Sequence, residues 1–280
     1  VLFDELGLRK TKRTRTGSHS TDAAALEGLR GGELAPAHRR IIDNLLAIRQ
    51  ESKLKSTYID TLPSLVDTST GRLHTNYNLA GSATGRLASS DPNLMNIPIR
   101  TEQGRRVRRA FKAGPPDWLL LAADYSQIEL RILAHLSKDL ALTTSFEKGE
   151  DIHSTTASQM FQVNSEEVTP DMRRMAKIMN FGVIYGLSAF GISQQIGFSV
   201  EKGSQFIDTY FNRYPGVQQY INETKRKAHT EGYVSTILGR RRYLPDISSP
   251  DFNVRQAAER MAVNAPVQGT AAEIIQLAMI

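Results

Sequence analysis

The chain has 280 residues, 40% of them hydrophobic and 23% charged, and a mean hydropathy of -0.34, a balance that supports a sizeable core and excludes disorder and collagen-like repeats. With no Cys, disulfides, thiolate nucleophiles and Cys-ligated zinc are excluded, and the longest apolar run, Trp118 to Ala123, is far short of the ~18 residues of a membrane span. Lys plus Arg number 35 against 29 for Asp plus Glu, giving +6 and a pI near 9.5, an excess that matters where it is concentrated.

It is concentrated near the start, where Arg9, Lys10, Lys12, Arg13 and Arg15 occur without an intervening acid, followed by Gly17, Ser18 and Ser20. Such a loop suits phosphates without reading bases, and equally suits a solvated surface. Thr21 is placed to cap a helix through Leu29 that Gly31 and Gly32 end. A longer helix is predicted from about Pro36 to Tyr58. Ile41, Ile42, Leu45, Leu46 and Ile48 form its apolar face, and Arg39, Arg40, Arg49, Lys53 and Lys55 keep the other side basic. Residues 1 to about 60 thus read as a helical arm.

From 70 to 112 the pattern changes to short candidate strands, Leu73 to Leu79 and Arg106 to Lys112, separated by Gly, Ser, Asn and Pro. A second basic cluster, Arg100, Arg105, Arg106, Arg108, Arg109 and Lys112, faces only Glu102. Trp118 to Ala123 reads as a buried strand that delivers Asp124 at its end. A carboxylate on such a mount can hold Mg²⁺, which keeps water and substrate phosphates in its other positions. An acid capping the next helix, with Glu129 as a solvated first-turn residue, accounts for the same letters. Ile128, Ile132, Leu133 and Leu136 then share a helical face.

Beyond this the chain reads as helix and turn, apart from a hairpin around Tyr233 to Tyr243. Thr169, Pro170 and Asp171 make a helix start, and Gly186 closes that helix about four turns later. Arg173, Lys177 and Phe181 recur every four residues, with Tyr185 one step further, a stripe about 18 Å long opposite an apolar side of Met175, Met179 and Val183. Two cations followed by two aromatics suit a charged head with a flat tail, such as a nucleoside triphosphate, although amphipathicity alone also produces a cationic stripe. Near the end, Pro266 is expected to break a helix, Thr270 and Glu273 to form a capping box for the last one, and Asn264 and Gln268 to flank the break. Amides there can meet minor-groove acceptors, or simply finish a helix.

These segments together resemble the polymerase region of family A DNA polymerases, the bacterial DNA polymerase I type. Asp124-Tyr-Ser-Gln-Ile-Glu-Leu-Arg131 is similar to the family's first polymerase motif, and Arg173-Arg-Met-Ala-Lys-Ile-Met-Asn-Phe-Gly-Val-Ile-Tyr-Gly186 to its second. Thr84-Gly-Arg-Leu87, Ser90 to Pro98, Asp151-Ile-His153 and Pro266 to Ala272 match further segments in the same order. The resemblance implies an α+β right-hand fold, predominantly helical: 1–60 partial thumb, 61–136 and 247–280 palm, and 137–246 fingers that close over the nucleotide.

It also implies roles. Asp124 and the Tyr125 carbonyl would hold two Mg²⁺ ions for nucleotidyl transfer from deoxynucleoside triphosphates to a primer 3'-hydroxyl. Arg173 and Lys177 would bind the triphosphate, with His153 beside the leaving phosphates as a protonated or donating imidazole. Glu129, paired with Tyr185, would block a 2'-hydroxyl. Phe181 would pack on the sugar, where Phe rather than Tyr disfavours nucleotides lacking the 3'-hydroxyl, and Gln127 would join the nucleotide site. Arg86, Asn93, Asn96, Arg260, Asn264 and Gln268, with Lys12, Arg13 and Lys55, would contact primer-template DNA. The expected protein is a bacterial cytoplasmic monomer acting in replication or repair. The family's third motif, His-Asp-Glu, lies beyond the last helix seen here. The chain therefore reads as a fragment cut at both ends, with an incomplete palm and impaired catalysis. A non-catalytic DNA-binding fragment is the main rival. A single-subunit RNA polymerase is the other, which Glu129 argues against.

Overall fold

The computed structural model describes all residues except Thr11, Lys12, Arg15, Arg100 and Ile280, so the expectation for Lys12 lies outside the described residues. Packing divides the chain into two compact units, residues 1–77 with 89–120, and residues 78–88 with 121–280.

In the first unit, α1 (Ala23–Arg30) is capped by Asp22, which accepts from the Ala25 amide at 2.8 Å. The expected cap, Thr21, has a different partner: its hydroxyl and carbonyl both accept from the Arg49 guanidinium. Asp binds the free amides of a first turn with a full charge, so it takes the position from its neighbour. Pro36 opens α2 (Pro36–Leu54), which runs into a π-helical turn at Lys55–Ile59 and then α3 (Thr61–Ser64). Ile42, Leu45 and Leu46 pack with Leu8, Leu26 and Leu29, whereas Ile41 and Ile48 stay exposed, because the apolar contact of α2 is one helix wide. A second cluster gathers Leu54, Tyr58 and Leu62 with Leu73, Leu94, Ile97, Val107 and Phe111.

The strand expectation around Leu73–Leu79 holds in part, as β1 (Asn76–Asn78), which pairs with β2 (Ala88–Ser90); the other two fail. The arginine cluster is not a strand but α4 (Glu102–Arg109), started by Thr101 accepting from the Gly104 amide at 3.1 Å. A capped start and good helix formers outweigh a single Val and Phe. Trp118 to Ala123 is not a strand either, and Leu119 and Leu121 are 91% and 95% exposed. An extended segment is buried only with a ladder partner and a covering layer, and among the described residues the sheets are β1–β2 and one hairpin.

The second unit is a helical assembly: α5 (Ile128–Ser137), α6 (Leu140–Glu147), α7 (Ile152–Phe161), α8 (Pro170–Ile184), α9 (Ala189–Ile196), α10 (Val200–Arg213), α11 (Pro215–Glu231) and α12 (Phe252–Ala278). Its core includes Leu130, Leu133, Leu142, Ile152, Met179, Ile184, Ile192, Tyr210, Tyr214 and Val217. The buried Asp139 carboxylate accepts from the amides of Leu142 and Gly216, each at 2.9 Å, which ties the starts of α6 and α11 together. The expected hairpin forms as β3 (Tyr233–Ser235) and β4 (Arg241–Tyr243), antiparallel with Tyr233 opposite Tyr243. It packs with Ala228, Leu244, Ile247, Ala258 and Ala262.

The expected helix break at Pro266 does not occur: α12 runs through it for 27 residues. A Pro inside a helix costs about 3 kcal/mol. Here Ala262, Val263, Ala265, Val267, Gly269, Thr270, Ala271 and Ala272 are all buried around it, and their packing outweighs that cost. Thr270 and Glu273 are consequently not a capping box. The Thr270 hydroxyl accepts from the Ile237 amide at 3.1 Å, and Glu273 receives the Thr236 hydroxyl at 3.0 Å and Arg240 Nε at 3.3 Å. Among the described residues no helix is long and apolar enough to cross a membrane.

Candidate active site

The stripe-bearing helix α8 starts as its sequence dictates. The Thr169 hydroxyl accepts from the Met172 amide at 3.2 Å, Pro170 takes the first turn, and Tyr185 ends the helix before Gly186 at φ +63°. A Cβ on Gly186 would lie 2.8 Å from Arg260 Cγ, so the glycine serves both the left-handed turn and the close passage of the Arg260 stem. Met179 and Val183 are buried and Met175 packs beside them, which leaves Lys177 exposed on the opposite face. Phe181 and Tyr185 stack with ring centres 6.5 Å apart and planes at 20°.

Glu129 lies in the first turn of α5 but is only 7% exposed, so it is not a solvated residue. One carboxylate oxygen accepts from the Tyr185 hydroxyl at 3.1 Å, and the other from the Arg86 guanidinium. The Glu129–Tyr185 pair is the one expected from the resemblance; the Arg86 contact is additional. Burial raises the Tyr185 pKa above the usual phenol value, the Glu129 charge adds to this, and a hydrogen bond from Gln268 works against it. Four residues far apart in sequence, Arg86, Glu129, Tyr185 and Gln268, thus converge. Arg86 is presented by a loop fastened at Gly85, whose carbonyl accepts from Gln276 Nε2 at 2.9 Å.

At the start of α8, Arg173 Nε donates to Asp151 Oδ2 at 2.6 Å. Burial acts to raise the Asp151 pKa, but the Arg173 and Ser154 hydrogen bonds and the Arg173 charge hold it down at about 2. His153, 3% exposed, meets Asn180 through Nδ1 at 3.0 Å, and its ring centre lies 5.9 Å from that of Phe181. Burial pulls its pKa down to about 4; Asp151 opposes, while Arg173 and Lys177 reinforce. A pKa that low leaves the imidazole uncharged near neutral pH.

Asp124 is exposed in the segment before α5, and Tyr125 is 47% exposed. The N-cap position of α5 belongs to Gln127, in a left-handed conformation with no side-chain cap, so Asp124 has no capping role. Among the described residues no group of three or more His, Asp or Glu side chains could hold a metal ion. A lone carboxylate with a neighbouring carbonyl suits one Mg²⁺ that keeps water and phosphate ligands, but not two ions. Of the other expected DNA contacts in the second unit, Asn264 and Gln268 are half-buried along unbroken α12, and Asn264 Oδ1 is buried without a hydrogen-bond partner among the described residues. In the first unit, the Asn93 side chain accepts from the Ser89 hydroxyl and the Met95 amide, the Asn96 carbonyl accepts from Tyr58, Arg13 donates to the Gly17 carbonyl and Lys55 pairs with Asp60. Sequence reasoning assigned no role to Asp151, Asn180 or Arg240. Asp151 carried a signal, as an acid directly before a helix start; Asn180 carried a weaker one, a polar letter on the buried side of α8.

Along the stripe the two cations come first, the stacked rings follow, and a buried carboxylate fixes the tyrosine at the end. Comparison with known proteins specifies it further. The model of DNA polymerase family A matches residues 1–280. The chain is 54% identical to the thermostable DNA polymerase I of Thermus aquaticus and 51% identical to DNA polymerase I of Geobacillus stearothermophilus, covering 100% of this chain and 33% and 31% of those proteins. It spans about a third of the curated relatives it matches. A solved structure described as the POL domain of Pol1 from M. smegmatis in complex with DNA primer-template and dNTP superposes with a TM-score of 0.91 at 50% identity, over 99% of this chain and 48% of that one. The chain belongs to DNA polymerase family A, whose members generally use divalent metal ions.

Proposed function

We propose that this chain carries the nucleotide-selecting part of a template-directed DNA polymerase, which extends a primer 3'-hydroxyl with deoxynucleotides. The observation that carries the reading is the buried Glu129 carboxylate, which holds Tyr185 and Arg86 at the aromatic end of the α8 stripe. Lys177 and Arg173 supply the cations for a triphosphate, with Arg173 oriented by Asp151 until phosphate oxygens compete for it. Phe181 and Tyr185 offer a stacked apolar wall for sugar and base. Glu129 and Tyr185 fill the space where a 2'-hydroxyl would go. Arg86 and Gln268, flanking the same tyrosine, would meet minor-groove acceptors, which every base-pair orientation presents.

Asp124 with the Tyr125 carbonyl would hold Mg²⁺, which supplies charge neutralisation at the reacting phosphate when bound. In this reading residues 1–60 belong to the thumb, 61–136 and 247–280 to the palm and 137–246 to the fingers. The partners are primer-template DNA and deoxynucleoside triphosphates, and the protein acts as a monomer in the bacterial cytoplasm. Primer extension by the full-length protein tests the proposal. Extension with deoxynucleotides, lost in Asp124→Ala, is the expected result; undiminished extension by that variant refutes the metal assignment. Equal use of ribonucleotides refutes the exclusion of a 2'-hydroxyl by Glu129 and Tyr185.

A further inference from the structure

Asn180, the polar residue that α8 turns inward, touches the site only through His153. Asn180 is fully buried, and so, within 2 to 3%, are the two side chains it meets from α7, Thr156 and His153. The Thr156 hydroxyl donates to Asn180 Oδ1 at 3.1 Å, and Asn180 Nδ2 lies 3.0 Å from His153 Nδ1. A buried amide without partners costs about 1 to 3 kcal/mol, so a side chain of this kind in a packed helix interface is tolerated only with its partners fixed. The order of the chain matters. With the hydroxyl proton of Thr156 directed at Oδ1, the amide presents an N–H to the imidazole, and Nδ1 must accept. The ring proton then resides on Nε2.

We propose that Asn180 is a positioning residue which, oriented by Thr156, holds His153 in the Nε2–H tautomer, so that the imidazole acts on a bound nucleotide as a neutral donor through Nε2. The tautomer belongs to the free protein, whereas the role toward nucleotide rests on the polymerase reading above. A neutral donor complements the nearby cations: Arg173 and Lys177 provide charge to the phosphates, and His153 provides a directed hydrogen bond that needs no proton uptake. It also explains why burial is acceptable for a histidine next to two cations. Its Nδ1 is satisfied by an amide and not by a carboxylate, which would draw a second proton onto the ring.

Long-range proton–nitrogen correlation spectra of histidine-labelled protein, with His153 assigned through His153→Gln, read the tautomer directly and without nucleotide. The expected spectrum has an unprotonated Nδ1 and a protonated Nε2. Thr156→Val removes the orienting hydroxyl and should give mixed tautomers, which Thr156→Ser restores. Asn180→Asp, whose carboxylate can only accept from the ring, should place a proton on Nδ1. A protonated Nδ1 in the parent chain, or a spectrum that Thr156→Val and Asn180→Asp both leave unchanged, overturns the proposal. Triphosphate affinity measured on the same samples separates the two claims. A several-fold weakening in Asn180→Asp supports the role toward nucleotide. A parent chain that binds no triphosphate removes the polymerase reading while the tautomer result stands.

Discussion

Replacing Glu129 by Ala tests the centre of the site most directly. The carboxylate is buried and serves two donors of unequal weight. The Tyr185 hydroxyl donates to it within a half-buried setting, and a hydrogen bond to a charged group contributes about 1.5 to 3 kcal/mol. The Arg86 side chain is 49% exposed, so solvent screening reduces its share to at most about 1 kcal/mol. Water can replace part of what Arg86 loses, but the tyrosine has fewer alternatives. The net loss is therefore about 2 kcal/mol, or about 4 to 8 °C in the melting of a unit of this size. Glu129→Gln, which keeps the volume and one acceptor, should lose about half as much. A spectrophotometric tyrosine titration, corrected with Tyr185→Phe, supplies a second readout. The Glu129 charge contributes to the raised Tyr185 pKa, so Glu129→Gln should lower that pKa, while burial keeps it above the ordinary phenol value. Unchanged melting in Glu129→Ala together with an unchanged Tyr185 titration would refute the pairing.

Three other perturbations have defined outcomes. The folded pKa of His153, about 4, lies below its ordinary value of 6.5, so the unfolded chain binds more protons between those limits. Its contribution to stability should be unaffected above pH 6.5 and fall by up to about 3 kcal/mol as pH drops to about 4; denaturant titrations from pH 7 to 4.5 should show a loss that His153→Gln lacks. Asp151, held at about 2, contributes stability that is complete above about pH 4 and disappears as pH falls toward 2; because the pair is about 40% exposed, Asp151→Asn should remove only about 1 kcal/mol of that acid dependence in the same assay. Gly269→Ala would bring a Cβ to 2.5 Å from Thr236 Cγ2 and should lower stability by about 1 to 3 kcal/mol, with much of the loss recovered in melting experiments on the double variant with Thr236→Ser, which removes that methyl but keeps the hydroxyl on Glu273.

Local signals in the sequence determined much of this protein by themselves. The Thr-Pro-Asp start of α8, its four-residue spacing of cations and aromatics, the glycine at its end and the hairpin at Tyr233 to Tyr243 all follow from rules that act within a turn or two of the chain. The ordered motifs also identified the family. Rules of that range could not show whether a segment finds a partner. Trp118 to Ala123 has the letters of a buried strand but no ladder beside it among the described residues, and Pro266 sits in an unbroken helix because packing around it outweighs the lost amide. The arginine run became α4 once Thr101 supplied a cap. Only the tertiary structure decided that Arg86 and Tyr185 share one carboxylate, that Arg173 rests on Asp151, and that His153 is buried against Asn180. Those contacts join residues 22 to 56 positions apart. Hydrogen bonds and desolvation depend on which surfaces the folded chain brings together, and the letters on either side of a residue do not record that.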